Sequence, residues 1–279
     1  PFSLLFWRYV ALSLLLFGYL VIRRRGLWFG FPRAAPAFAV GVLAHAAWLG
    51  CVLVALQRGV PAGIVALIVA LQPLLTGALS GPVVHEPTPP SRWLGLLVAF
   101  AGVLVTILAR SATDLSRGIS VVGYLLPFGS VVAMTVAVLL QRRLELSGNA
   151  PGLPMTVTLF YQSVASALAL AVPAMFLEDM SVIWGTDFVL VMGWLILAVS
   201  LGAYVIMWIL LARTDAARLA SLFYFGPPVT MVMAWAAFGD RIHASDIVGL
   251  VVVSAGVLLT QSAGGLARTE VEPKRRDKS

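Results

Sequence analysis

Nine separate stretches of this chain are apolar over about 20 residues, the length a helix needs to cross the hydrocarbon core of a bilayer. They cover residues 2–22, 34–57, 61–80, 93–109, 119–140, 155–177, 188–211, 216–238 and 247–261. The connections are short and rich in Gly, Pro and charge, and no soluble domain interrupts the series. Charged residues make up 11% of the chain, where a soluble domain carries about 25%. The fold class that follows is all-α and integral to a membrane, because in lipid a helix satisfies its own backbone groups. The lipid bilayer is therefore an obligate partner.

The net charge of +7 is one a nucleic-acid binder could share, but this hydropathy excludes that class, and no nucleic-acid partner is expected. The basic residues punctuate the apolar stretches instead. One set of ends holds Arg23, Arg24, Arg25, Arg33, Arg92, Arg142, Arg143, Arg213 and Arg218, and the tail adds Arg268, Lys274, Arg275, Arg276 and Lys278. The other set holds Arg58, Arg110, Arg117 and Arg241, and its loop 178–187 carries three carboxylates and no base. Lysine and arginine favour the cytoplasmic side, so the first set and the C-terminus are expected there. The lone Cys51 excludes an internal disulfide. The chain opens on an apolar stretch without an initiator Met and shows no cleavable signal peptide.

An internal repeat organises the spans. Residues 66–106 align without a gap on residues 220–260, an offset of 154 (220 − 66). Pro73 then meets Pro227, Thr76 meets Thr230, Glu86 meets Asp240, Ser91 meets Ser245, Gly95 meets Gly249, and "AGVL" meets "AGVL". The same offset carries Trp7 and Arg8 onto Tyr161 and Gln162. A polar loop and two glycines in register are hard to obtain by chance. The span 119–140 has no partner at this offset, so its counterpart is expected before residue 1. The expected whole is ten spans, nine identifiable here, in two halves of five. An odd number per half gives the halves opposite orientation, the inverted-repeat plan of secondary transporters with a solute site near the midplane.

The segments "ALQPLLTGAL…HEPTPPSRWLGLLVAFAGVL", "LFYFGPPVTMVMAWAAFGDRIHASDIVGLVVVSAGVLL", "PFSLLFWRYVALSLLLFGYLVIRRR" and "YLLPFGSVVAMTVAVLLQRRL" resemble the EamA domain of the drug/metabolite transporter superfamily. The family pattern places "GE" before its "G…AGV" helix. This chain has Gly239-Asp240 in the second half and His85-Glu86 in the first. The resemblance covers nearly all of the chain. It implies two EamA-like repeats, residues 1–110 and 119–262, followed by a basic cytoplasmic tail, 263–279. It also implies a multi-pass protein of the bacterial plasma membrane. Within the family the chain is most similar to bacterial exporters of amino acids, particularly aromatic ones. The partners implied are a small-molecule substrate, an amino acid or metabolite, and for the chain itself a monomer or homodimer.

Other chemistries lack their residues. There is no GxxxxGK[ST] phosphate loop, no HExxH or metal-spaced Cys/His cluster, and no GxSxG elbow. The chain is expected to have no catalytic residue, no metal and no cofactor, and not to be an enzyme. Glu86, Asp114, Glu145, Asp215, Asp240 and Asp246 all fall at span ends or in loops. Intramembrane carboxylates mark proton relays and cation sites, so a neutral or zwitterionic solute moved down its gradient is the expectation. A drug-like or nucleobase-like cargo stays open, and a membrane-embedded enzyme is the competing class.

The substrate-binding candidates are polar and aromatic residues deep in spans: His45, Trp48, Gln72, Tyr161, Gln162, Tyr204, Trp208 and Tyr224. An α-helix puts His45 and Trp48 on one face, and Ser200, Tyr204 and Trp208 on another. Aromatic walls suit stacking and cation–π contact with a substrate ammonium. The competing reading is helix–helix packing by buried His or Tyr. Trp7 is read as an interfacial anchor, and Arg8, near a span end, as a snorkelling side chain, with direct substrate contact as its alternative role. The stripes Gly95, Ala99, Gly102 and Gly249, Val253, Gly256 are read as the packing struts of each half, outside the cavity, or else as a dimer face. Finally, "ALQPLLTG" and "FYFGPPVTM" place Pro73 opposite Pro227, with Pro228 beside it. A helix break set at the same place in both halves is expected to be a hinge.

Overall fold

The computed structural model describes residues 1–24, 30–84, 89–116, 121–147, 152–203, 205–206, 209–210 and 225–269. Every element in it is helical: α1 (Phe2–Ile22), α2 (Phe31–Gly41), a π-helical segment π1 (Val42–Ala47), α3 (Trp48–Gln57), α4 (Ala62–Val69), α5 (Leu71–Val84), α6 (Pro90–Ser116), α7 (Val121–Leu146), α8 (Met155–Glu178), α9 (Thr186–Trp194), a second π-helical segment π2 (Leu195–Gly202), α10 (Gly226–Phe238) and α11 (Ala244–Thr269). Among the described residues, six continuous runs are long and apolar enough to cross a membrane: Phe2–Ile22, Arg33–Gln57, Ala62–Val84, Pro90–Arg110, Val121–Leu146 and Met155–Glu178. Two shorter apolar helices, Thr186–Gly202 and Ala244–Thr260, fall on the seventh and ninth expected spans. The eighth is described only as α10.

The outer faces are as apolar as the inner ones. Leu97 and Leu108 on α6 are 64% and 69% exposed, and Val251 and Leu258 on α11 are each 62% exposed. Contiguous apolar surface of this kind suits lipid and would drive aggregation in water.

The chain divides into two compact units, each drawing helices from both the N-terminal and the C-terminal part of the sequence. The first holds residues 1–60 and 120–225. There α1 packs along α8, α2 and π1 also lie on α8, and α3 lies on α7. Leu5, Tyr9, Leu12, Leu16, Leu170 and Ile196 form its main buried cluster. Glu178, closing α8, caps the start of α1 by accepting the Phe2 and Ser3 N–H groups at 3.0 and 2.7 Å.

The second unit holds residues 61–119 and 226–279. Its centre is the pairing of α6 with α11, with α4 on α10 and α5 on α6. The two glycine stripes meet each other here. A Cβ added to Gly95 would lie 2.5 Å from the Gly256 carbonyl oxygen, and one added to Gly102 would lie 3.0 Å from that of Gly249. The repeat offset maps 95 onto 249 and 102 onto 256. The contact is therefore reciprocal, as in an isologous interface. The stripes are buried against one another within the chain, which removes them as an outward dimer face.

Helix bounds recur at the same offset. Pro90 and Ala244 open α6 and α11, and Val84 and Phe238 close α5 and α10. The run Ala62–Val84 is interrupted at Ala70, between α4 and α5. Pro73, third in α5, has no N–H for the Val69 carbonyl four residues back, so α4 ends at Val69. Pro227 and Pro228 sit in the first turn of α10, where the missing donors would be unpaired in any case. Residues 211–224, which precede that turn, lie outside the described residues.

Candidate functional site

The polar groups of the first unit converge where α1 and α8 meet the two π-helical segments. A π turn opens where a side chain intrudes on the backbone ladder. Here a serine hydroxyl does so in both. Ser166 Oγ on α8 shares its one hydrogen between the Gln162 carbonyl of its own helix at 2.6 Å and the Gly41 carbonyl at 3.0 Å, at the entrance to π1. Ser200 Oγ donates to the Leu195 carbonyl at 3.0 Å, at the entrance to π2. Gly41 and Leu195 are repeat mates at the 154 offset. Gly41 is also required by the close approach to α8, since a Cβ there would lie 2.5 Å from the Gln162 carbonyl oxygen.

The offset-related helices α1 and α8 each reach a polar side chain onto a π segment, α1 onto π2 and α8 onto π1. Arg8 on α1 donates to Ser200 Oγ on π2 from Nε at 3.3 Å and from Nη2 at 2.9 Å. Gln162, its repeat mate on α8, places Oε1 3.4 Å from His45 Nε2 on π1. Tyr9 links the two contacts. Its ring lies 5.6 Å from the Arg8 guanidinium carbon and 5.6 Å from the His45 ring. Arg8, Tyr9, Gln162, Ser163, Ser166 and Ser200 are all buried, and His45 is partly buried. This arrangement offers cation, amide, imidazole, hydroxyl and aromatic face inside an apolar bundle. These groups can donate hydrogen bonds to, and accept them from, a polar partner.

A second polar cluster closes one end of the second unit. Arg110 Nε lies 3.6 Å from Asp246 Oδ1, and both side chains are buried. Arg110 Nη2 also donates to the Arg241 carbonyl at 3.0 Å and lies 2.6 Å from His243 Nδ1. Asp246 accepts the His243 N–H at 2.9 Å, which caps α11. Among the described residues, the Arg110 Nε and Asp246 Oδ1 atoms are paired by charge alone, without a hydrogen bond, beside a tight turn at Gly239 whose φ is 72°. The cluster is a structural clasp.

A family model described as the EamA-like transporter family matches residues 1–108 and again 121–261. This chain belongs to the EamA-like transporter family. Among its relatives, the uncharacterized transporter YvbV of Bacillus subtilis (strain 168) is 25% identical over 203 residues, covering 72% of this chain and 64% of YvbV. The uncharacterized transporter YyaM of the same organism is 28% identical over 211 residues, 73% of this chain and 64% of its own length. The match thus spans less than two thirds of either Bacillus protein. The uncharacterized inner membrane transporter YedA of Escherichia coli (strain K12) is 26% identical over 259 residues, 91% of this chain and 79% of YedA. A solved crystal structure, 21% identical, covers 98% of this chain and 90% of its own with a TM-score of 0.62, a likeness of fold.

This EamA-like protein is thus a multi-pass membrane protein of a transporter family. Of the residues singled out from its sequence, His45 and Gln162 come together. Trp48 opens α3, and its indole Nε1 is buried with no hydrogen-bond partner among the described residues. The expected His45–Trp48 face assumes an α-helix, and the wider π turn through Val42–Ala47 breaks that register. Tyr161 is buried with Leu20, Ala34, Ala37 and Val157, its ring 5.7 Å from Phe38, so it packs on α2. Gln72 belongs to the second unit and donates to Thr76 Oγ1 at 2.9 Å within its own helix. Tyr204, Trp208 and Tyr224 lie outside the described residues. Arg8 is not the snorkelling side chain expected of its position. It is 7% exposed and bonded inward to Ser200. Its repeat pairing with Gln162 was the signal that could have found it.

Proposed function

We propose that this chain exports amino acids, aromatic or other neutral ones, and similar small metabolites across the bacterial plasma membrane by alternating access. The observation that carries the reading is the polar cluster of the first unit. A zwitterion needs donors for its carboxylate, and acceptors or aromatic faces for its ammonium. Arg8, Tyr9, His45, Gln162 and the serines offer both kinds. The buried polar groups described in this unit are Ser3, Arg8, Ser130, Thr135, Gln162, Ser163, Ser166 and Ser200, without a carboxylate among them. Proton relays and sites for lipophilic cations rest on intramembrane carboxylates, so the proposed transport is facilitative.

The two matches to the family model, the reciprocal glycine contacts and the crossed Arg8–Ser200 and Gln162–His45 pairs support residues 1–110 and 119–262 as inverted repeats. Secondary transporters of that plan rock one repeat against the other around a midplane site. Pro73, Pro227 and Pro228 are the proposed hinge points, and the basic tail is proposed to face the cytoplasm.

Proteoliposomes loaded with a panel of labelled solutes test this reading. The expected result is saturable flux of neutral amino acids that persists when the proton gradient is dissipated. Flux confined to nucleobases or drug-like solutes would replace the cargo. Absence of amino-acid flux from folded protein would remove the substrate assignment.

A further inference from the structure

We infer that Arg8 is a carboxylate anchor, so that the solutes held in the first unit carry a carboxylate group. The inference rests on the reading of this cluster as a solute site and adds the chemical group that the site selects. A guanidinium has five N–H donors in a rigid fork. Ser200 Oγ accepts from Nε and Nη2, and the Tyr9 ring covers one face. Among the described residues no carboxylate lies within ion-pair distance of Arg8. A buried cation without an anion is costly, because the desolvation of the charge is not returned by a partner. Structural arginines in apolar bundles are therefore paired with carboxylates or backbone carbonyls. Among the described residues this one is held by a single hydroxyl and the Tyr9 ring, and that hydroxyl is itself oriented by donating to Leu195.

The comparison between repeats sharpens the point. The mate of Arg8 is Gln162, and the mate of Ser200 is Ala46. Gln162 makes a neighbouring crossed contact, a neutral amide against the imidazole one residue before Ala46. Packing alone is thus served in one repeat without any charge. The cation in the other repeat is an addition that packing does not require. Together the two positions give an asymmetric site, with a fixed positive charge on one side and neutral acceptors on the other. Such a site orients a molecule that has a carboxylate at one end.

Four probes of one skeleton test this: L-phenylalanine, L-phenylalaninamide, phenethylamine and hydrocinnamate. Binding is read as thermal stabilisation of purified protein, which does not depend on transport, and flux is read separately in proteoliposomes. The expected result is that the two carboxylates bind about 10- to 100-fold more tightly than the amide and the amine, as a charge-assisted bidentate contact gives. In Arg8→Gln that preference collapses, and in Arg8→Lys it falls to an intermediate value. Hydrocinnamate binding that depends on Arg8, with no flux of any amino acid, would uphold the anchor and remove the amino-acid reading. Equal binding of acid and amide by the native chain would overturn the anchor, as would no binding of any probe. An acid preference that survives unchanged in Arg8→Gln would do the same. If Arg8→Gln does not fold, the native chain and Arg8→Lys decide the matter alone.

Discussion

Replacing Gly256 with alanine should destabilise the protein, although alanine is the better helix former. The new Cβ would lie 2.5 Å from the Gly95 carbonyl oxygen, 2.7 Å from the Ala99 nitrogen and 2.9 Å from the Ala99 Cβ. Ordinary C···O approaches are about 3.3–3.6 Å, so α6 and α11 must part by the better part of an ångström. Two of the three opposing atoms are backbone and cannot swing aside. A gap of that size forfeits about a quarter to a half of each dispersion contact along the stripe. Overpacking of this kind costs about 1–3 kcal/mol, beyond the gain of up to about 1 kcal/mol from removing a helical glycine. Gly18 on α1 is the control, because nothing lies within 4 Å of a Cβ added there. Its alanine variant should gain stability. At roughly 2–4 °C per kcal/mol for a chain of this size, Gly256→Ala should lower Tm by several degrees and Gly18→Ala should raise it slightly. Tryptophan fluorescence during thermal unfolding in detergent reads both. Because the contact is reciprocal, Gly95→Ala should behave like Gly256→Ala, and the double variant should fall short of additivity. Equal Tm values for Gly256→Ala and Gly18→Ala would refute the close pairing of the two helices.

Other perturbations follow from single contacts. Gly41→Ala should be more damaging than Ser166→Ala, since the first sets a Cβ 2.5 Å from a backbone oxygen while the second removes one hydroxyl worth about 1 kcal/mol; chemical denaturation in mixed micelles ranks them. Asp246→Asn should cost about 3–5 kcal/mol, because it leaves the Arg110 guanidinium buried without its counter-charge; the loss should appear as a lower unfolding midpoint. Gln162→Ala should weaken solute binding by about tenfold and leave Tm within a few degrees, as expected for a partly satisfied amide facing His45; ligand titration and thermal unfolding on the same sample separate the two effects. Ser200→Ala should lower affinity for carboxylates more than Ser163→Ala does, because Ser200 holds the Arg8 fork while Ser163 bonds its own helix at Leu159.

The spans were legible because lipid imposes one simple demand, a long apolar run, and the ends of the six continuous crossings agree with the sequence to within six residues. The glycine stripes were legible because their spacing survives a change of partner. What the sequence could not tell was that the partner of Gly95 is the stripe of the other repeat. The π turns at Val42–Ala47 and Leu195–Gly202 left no compositional trace. A serine hydroxyl approaches the carbonyl at the entrance of each, in π1 from a different helix. That single insertion shifted His45 out of the face assigned to it with Trp48. Arg8 was misplaced because nearness to a span end along the chain does not give depth inside a bundle. Tyr161 was grouped with Gln162 by adjacency, yet neighbours on a helix point about 100° apart, and its ring packs on Phe38.

The most direct test of the central claim is an experimental structure of the protein saturated with L-phenylalanine. Density for the amino acid should lie in the first unit, with its carboxylate within hydrogen-bond distance of the Arg8 guanidinium and its remaining polar contacts near His45 and Gln162. Density for the ligand elsewhere, with a protein carboxylate seated on Arg8, would contradict it.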